Sequence, residues 1–345
     1  MQTVMNAAEV TITGKITSAA AGTITSIRTF FMKFAFIFPG QGCQSVGMGR
    51  EFYEGSAAVR ALLDEASSFT GIDFKNLLFE PSDKLDVSEF TQPAIALNSM
   101  MALAALQEIA DQEKLNIAPQ FLLGHSLGEF SALSAAGGIE PKQMLKLVNI
   151  RGRLMQSACE GKGAGMMVIL ALADEAVEKI CADATSAGKQ VWAANYNCDG
   201  QIVVAGKKDD LAALEGEFKA AGAKRAMLLN MSVASHCPML QSASNELLEF
   251  LRPALKESFA PVVANATARV YRTKSEALEL LKAQLISPVL YKQSIKSYEG
   301  EADCFVEFGA AVLKGINKTI TQKPTFSITD LASLDEFLKF AKENG

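Results

Sequence analysis

Apolar residues recur along this chain in two rhythms. Short continuous runs at 34–38 and 121–123 read as strands buried on both faces, as in a parallel sheet covered by helices. Longer stretches with helical spacing cover 48–69, 92–110, 127–136 and 141–158. Strand and helix signals alternate, which predicts an α/β fold. From residue 160 the rhythm changes. A strand is predicted at 165–170, a helix at 174–184 and a strand at 191–196. The turn-like Cys198-Asp199-Gly200 then leads into a strand at 201–205, a helix at 209–221 and a strand at 225–229. The order β-α-β-β-α-β is that of a ferredoxin-like module. A ferredoxin-like subdomain over 160–230 is therefore predicted as an insertion into an α/β core made of 32–159 and 231–335, with 336–345 as a C-terminal tail.

Residues 1–31 stand apart. They are rich in Thr, Ser and Ala, with Glu9, Lys15 and Arg28 as the only charges. They lack the compact apolar segment of a secretory signal. They read as a disordered extension or a transit-type leader, and the strand directly after Met32-Lys33 resembles a natural start. No uninterrupted apolar run is long enough to span a bilayer. The nearest, 93–110, is broken by Asn98, Ser99, Gln107 and Glu108 and reads as a buried helix. No membrane partner is expected, and the location is expected to be cytoplasmic.

Composition narrows the function classes. With 345 residues, 49% hydrophobic, a large core needs no metal or disulfide staple. The 33 Lys+Arg against 38 Asp+Glu give a net charge of −5, which argues against a nucleic-acid partner. Two histidines exclude a His-rich metal site. Six cysteines without C-x-x-C spacing exclude a zinc ribbon and a thioredoxin motif, and read as reduced thiols. No metal site is predicted.

The strongest chemical signal is Gly124-His125-Ser126-Leu127-Gly128, a G-x-S-x-G nucleophile elbow. It stands between a strand-like run and a helical one, the context the motif requires. Its glycines permit a sharp turn, and the turn sets Ser126 at the strand tip near the positive end of the next helix. A serine hydroxyl needs a base. His125 is locked in the same turn, so a histidine partner for Ser126 must be His236, in Ser235-His236-Cys237-Pro238. The Gly-rich segment 39–49 fits neither the Rossmann nor the P-loop template; it reads as a loop that offers backbone N–H groups to a reacting centre. Cys43 within it reads as a packed residue rather than a reactive thiol. Arg151 interrupts an apolar helical pattern, and a buried arginine needs a partner. An internal carboxylate and a substrate carboxylate both qualify, and the sequence alone favours the internal one.

Five ordered motifs then carry a resemblance: Phe38-Pro39-Gly40-Gln41-Gly42, Gly124-His125-Ser126-Leu127-Gly128-Glu129, Arg151-Gly152-x-Leu154-Met155, Ser235-His236-x-Pro238 and Gln284-Leu285-x-x-Pro288-Val289. From about 32 to 320 the chain resembles the malonyl-CoA:acyl-carrier-protein transacylases of fatty-acid synthesis. The resemblance implies an α/β-hydrolase-like core with a ferredoxin-like insertion. It implies a ping-pong transfer: malonyl-CoA acylates Ser126 with His236 as base, and the phosphopantetheine thiol of acyl carrier protein then accepts the malonyl group. It implies oxyanion donors at the backbone of Gln41 and Leu127 and a malonyl-carboxylate clamp at Arg151, reversing the preference stated above. Gln284 matches a position beside the histidine, where a carbonyl orients the imidazole, and Asn265 matches a pocket-side position. No bound cofactor is implied beyond the substrate malonyl-CoA and the partner's phosphopantetheine, and a monomer is expected.

The chain departs from the family pattern at Cys43, at Gly309-Ala310-Ala311 in place of Gly-Pro-Gly, and at Val233-Ala234-Ser235, which lacks an aromatic. The last departure keeps a methylmalonyl extender in view. A serine esterase or thioesterase on the same core is an alternative, but it would place an acid between Ser and His in chain order and a His near the C-terminus. A non-catalytic carrier-docking protein is another, against which Ser126, His236 and Arg151 together speak. Basic patches for an acidic carrier are Lys207-Lys208, Lys224-Arg225 and Arg269/Arg272/Lys274.

Overall fold

The computed structural model describes residues 32–344; the extension at 1–31 lies outside the described residues. The apolar run at 34–38 forms strand β1 (Phe34–Phe38), every residue of it buried. It pairs in parallel with β2 (Pro119–Gly124). The next four strands are β3 (Ala164–Leu170), β4 (Val191–Cys198), β5 (Gln201–Lys207) and β6 (Arg225–Leu228); β7 (Ser258–Val263), β8 (Val270–Thr273), β9 (Cys304–Phe308) and β10 (Thr325–Ile328) follow. The larger sheet has the order β10-β9-β1-β2-β7-β8. Its first five strands in that order are mutually parallel, and β8 closes the edge antiparallel to β7.

Alternation along β1 explains the continuous apolar run. Phe34, Phe36 and Phe38 enter the main core on one face, while Ala35 and Ile37 join Phe121, Leu123, Tyr291 and Phe305 on the other. Both faces are covered, so neither can be polar. The buried helix predicted over 92–110 runs longer, Ser88–Glu113. It is long and apolar enough to cross a membrane, yet 78% of its apolar window is buried inside the protein. Its polar interruptions serve the packing: Asn98 donates to the Gly309 carbonyl at 2.7 Å and Ser99 to the Phe308 carbonyl at 2.9 Å, which ties the helix to the end of β9.

The segment between Cys159 and 230 builds the second sheet, in the order β4-β5-β3-β6, antiparallel throughout. Helices Asp174–Ser186 and Lys208–Ala220 supply Val177, Ile180, Leu211, Leu214 and Phe218 to a core of its own with Met167, Ile169, Ile202 and Val204. The predicted elements here agree with those observed to within two residues at most ends. Residues 32–344 otherwise cluster as one unit.

One prediction fails. Residues 336–345 do not form a tail: helix Leu331–Asn344 runs through all the described ones. Phe337, Leu338 and Ala341 are buried, and Phe337 packs edge-on against Phe34 with ring centroids 5.7 Å apart. The last turns carry apolar residues at helical spacing, and that amphipathic signal outweighs their terminal position. Phe337→Ala should therefore destabilise the protein by about 3–5 kcal/mol, read as a lowered urea midpoint at unchanged slope; an unchanged midpoint would restore the tail.

Candidate active site

The register Phe38↔Gly124 brings the C-terminal ends of β1 and β2 level, so the loops that follow them emerge together. Ligand sites of parallel sheets lie at this edge. The approach leaves no room for side chains. A Cβ on Gly124 would lie 2.0 Å from the Gly128 carbonyl carbon, and one on Gly128 would lie 2.0 Å from the Phe38 carbonyl oxygen. Between them Ser126 takes φ 54°, left-handed for a non-glycine residue. This is the strand–turn–helix that the elbow motif predicts, leading from β2 into helix Gly128–Ala135.

Ser126 Oγ lies 2.7 Å from His236 Nε2. His236 Nδ1 lies 2.8 Å from the Gln284 carbonyl oxygen. A carbonyl can only accept, so Nδ1 carries the proton and Nε2 is free to accept from the serine hydroxyl. Burial, then the nearby positive charge of Arg151, pushes the imidazole down to about 3, against the hydrogen bond to Gln284. The histidine thus stands neutral, the form a general base requires. His236 also adopts φ 60° and is 2% exposed. His125 turns away: its Nε2 lies 2.8 Å from Asn197 Oδ1 on β4.

Arg151, from helix Pro141–Cys159, is 1% exposed. It donates to Ser126 Oγ at 3.2 Å, to Gln284 Oε1 at 3.1 Å and to Gln92 Oε1 at 2.7 Å. It lies over the Phe130 ring at 5.3 Å. All its direct partners are neutral, and among the described residues it forms no ion pair. Burial lowers its pKa to about 10, opposed by the charge of Glu129, so it stays protonated at neutral pH. The internal carboxylate favoured by the sequence alone is absent from direct contact.

Asn265 braces the elbow: its Oδ1 accepts from Ser126 N at 2.7 Å and its Nδ2 donates to the Gly124 carbonyl at 2.6 Å. Gln284 Nε2 donates to the Ser126 carbonyl at 3.0 Å. Ser126, His236, Arg151, Gln284 and Asn265 thus share one bonded cluster. Gln41 does not join it. Its side chain donates to Ser88 Oγ at 3.1 Å, and it lines a cavity of about 660 Å³ with Val87, Met231 and Val233. The backbone N–H groups of Gln41 and Leu127 make no hydrogen bond among the described residues. Cys43 donates its thiol proton to the Gly40 carbonyl at 3.2 Å, and burial pushes it up to about 12, so it is packed and protonated.

Gln92 and Glu129 belong to the cluster but carry no predicted role. Gln92 left a signal, a lone amide beside Pro93 at the start of an apolar stretch. Glu129 stands in the elbow motif, and it is fully buried.

A strained serine at a strand–helix turn, bonded to a neutral histidine whose other nitrogen is fixed by a carbonyl, is the arrangement that acyl transfer through a serine requires. The acyl transferase domain family matches residues 35–334. A malonyl CoA-acyl carrier protein transacylase of Bacillus subtilis is 34% identical over 90% of this chain and 98% of its own length. The crystal structure of malonyl-CoA:acyl carrier protein transacylase from Helicobacter pylori shares 44% identity, with a TM-score of 0.86 over 91% of this chain and all of that one. A malonyl-transacylase solved in complex with a type II PKS acyl-carrier protein shares 34% identity, with a TM-score of 0.83 over 89% of this chain and 99% of that one. The chain belongs to the acyl transferase family, in the company of the malonyl CoA-acyl carrier protein transacylases.

The electrostatics of His236 carry a signed prediction. With a neutral acyl thioester as substrate, kcat/KM should show no acidic limb near pH 6.5, where imidazole ordinarily titrates, because burial and then Arg151 push His236 down to about 3. Arg151→Ala removes a positive neighbour, so the limb should move to higher pH. A limb that stays in place or moves down would contradict this account.

Proposed function

We propose that this enzyme moves the malonyl group from malonyl-CoA to the phosphopantetheine thiol of acyl carrier protein by a ping-pong route through a malonyl ester on Ser126. The observation that carries the reading is the charge of Arg151. A desolvated guanidinium 3.2 Å from the nucleophile, bonded only to neutral groups, is completed by an anion. A malonyl thioester supplies that anion one carbon beyond the reacting carbonyl; an acetyl group cannot. In the first half-reaction His236 Nε2 takes the Ser126 proton as Oγ attacks the thioester carbon. The unpaired N–H groups of Leu127 and Gln41 suit the oxyanion. Collapse expels the CoA thiolate, which takes the proton from His236. In the second half the carrier's thiol repeats these steps against the serine ester. Arg151, Gln284 and Asn265 hold the acyl group and the elbow throughout.

The architecture reads as an α/β-hydrolase-like core carrying a ferredoxin-like subdomain over 160–230. The order β4-β5-β3-β6 supports this for the insertion, since the four antiparallel strands place the first and third of the module at the centre. The parallel order around β1 and β2 supports it for the core. Of the basic patches, Lys208 lines both the 660 Å³ cavity and a neighbouring one of about 540 Å³, which supports approach of an acidic carrier from that side. Arg225 pairs with Leu170 while Lys207 pairs with Ala164, so these patches lie at opposite ends of the small sheet.

Intact mass after mixing with malonyl-CoA should show one malonyl adduct, absent in Ser126→Ala. Methylmalonyl-CoA should label more slowly, and faster labelling would assign the branched extender. Thiol release without adduct would indicate an esterase. His236→Ala should lower acylation by about 10²–10⁴-fold. Arg151→Ala should cost the malonyl group about 2–5 kcal/mol relative to acetyl, roughly thirtyfold to a few thousandfold; an unchanged ratio would remove the clamp.

A further inference from the structure

We propose that Glu129 is a positioning residue that selects the acyl group indirectly, by fixing which way the Gln284 amide points and thereby aiming Arg151. The inference rests on the malonyl-transfer reading above. Glu129 is the second residue of the helix that follows Ser126 and is wholly buried. It is not within salt-bridge distance of any cation among the described residues, so ion pairing does not explain it. Its Oε2 accepts from Gln284 Nε2 at 2.7 Å and from the Asn265 backbone N–H at 3.0 Å.

The side-chain amide of Gln284 is nearly symmetric in shape, so packing alone does not decide between its two orientations. Hydrogen bonding does. On one side stand two acceptors, Glu129 Oε2 and the Ser126 carbonyl, both taken by Nε2. On the other stands Arg151, a pure donor, which finds Oε1 at 3.1 Å. A flipped amide would set an NH₂ group against the guanidinium and an oxygen against the carboxylate. Both contacts would be repulsive at once, in a site without water-like screening. Glu129 therefore holds one end of a relay, carboxylate to amide to guanidinium, whose far end meets the acyl carboxylate. Through the Asn265 N–H the same oxygen also steadies the residue that braces the elbow. Burial raises the carboxyl of Glu129 to about 7, against the hydrogen bonds from Gln284 and Asn265. Its oxygen accepts in either protonation state, and the Ser126 carbonyl, which cannot donate, still opposes a flipped amide when Glu129 is neutral, so the relay needs reach more than charge.

Two conservative variants separate reach from charge. Glu129→Gln keeps the length and an acceptor oxygen but loses the charge. Glu129→Asp keeps the charge but withdraws the oxygen by one methylene. The readout is the ratio of kcat/KM for malonyl-CoA to that for acetyl-CoA. Positioning predicts that Glu129→Gln keeps the ratio within about threefold, whereas Glu129→Asp lowers it by about 10–100-fold, the cost of a displacement near 1 Å at a reacting centre. In an Arg151→Ala background, Glu129→Asp should leave the ratio unmoved. The proposal is overturned if Glu129→Gln loses the ratio, since charge would then be the cause. It is equally overturned if both variants slow malonyl and acetyl transfer alike, as a purely structural role would. Should Glu129→Asp fail to fold, Glu129→Ala, which removes the acceptor altogether, takes its place with the same loss of ratio expected, and an unmoved ratio overturns the proposal. Absence of a malonyl adduct in the unsubstituted enzyme would instead defeat the proposed function, before any variant is compared.

Discussion

A single positive charge organises this molecule. Arg151 is carried into the interior by a helix and held there by neutral amides and a hydroxyl. An uncompensated buried charge is costly, and the surroundings are arranged to sustain it. Gln92 and Gln284 turn their oxygens toward it, the Phe130 ring lies against its face, and Glu129 supplies a negative charge one residue further out. The same charge, with burial, keeps His236 neutral. The proposed selectivity for an anionic acyl group and the neutrality of His236 thus share a physical origin.

The nucleophile imposes the second constraint. A non-glycine residue at φ 54° is strained by about 1–3 kcal/mol. The strain is held by contacts that cannot relax. Gly124 and Gly128 admit the crossing of β1 and the elbow with no space for a methyl group. Asn265 clamps the turn from just beyond β7, and Gln284 clamps it from the end of helix Lys274–Gln284, with its carbonyl on His236. The hydroxyl is therefore presented at one place, where His236 and Arg151 already point. Departures from the family pattern fall outside this cluster. At Gly309-Ala310-Ala311 the loop is fastened by Asn98, and Glu307 receives the N–H groups of Leu313 and Lys314 at 2.9 Å.

How much could be read in advance follows from the range of the forces involved. Local patterns were legible. The buried strands at 34–38 and 121–123, the elbow, and the β-α-β-β-α-β rhythm all follow from periodicity and turn chemistry within short windows. His236 emerged by elimination, because the chain has two histidines and the elbow occupies one. Arg151 shows the limit. Its sequence neighbours revealed a polar residue in an apolar helix, but its partners lie 25, 59 and 133 residues away. Periodicity carries no information over such separations, so the choice between internal and substrate carboxylate stayed open until the motifs were taken together. The terminal helix is the opposite case: Phe337, Leu338 and Ala341 carried an ordinary helical signal that its position at the chain end obscured.

The sequence by itself determined the class of fold, the strand–turn–helix at Ser126 and the histidine that meets it, and the family of reaction. Each depends on which residues are present and how they are spaced. The tertiary structure alone decided the state of those groups: the proton on Nδ1 of His236, the neutral shell around Arg151, and the orientation of the Gln284 amide between Glu129 and the clamp. These are properties of desolvated groups, set by donors and acceptors that meet in space from distant parts of the chain. Hydrogen bonds at 2.7–3.2 Å are too short-ranged and directional to be written in a one-dimensional pattern.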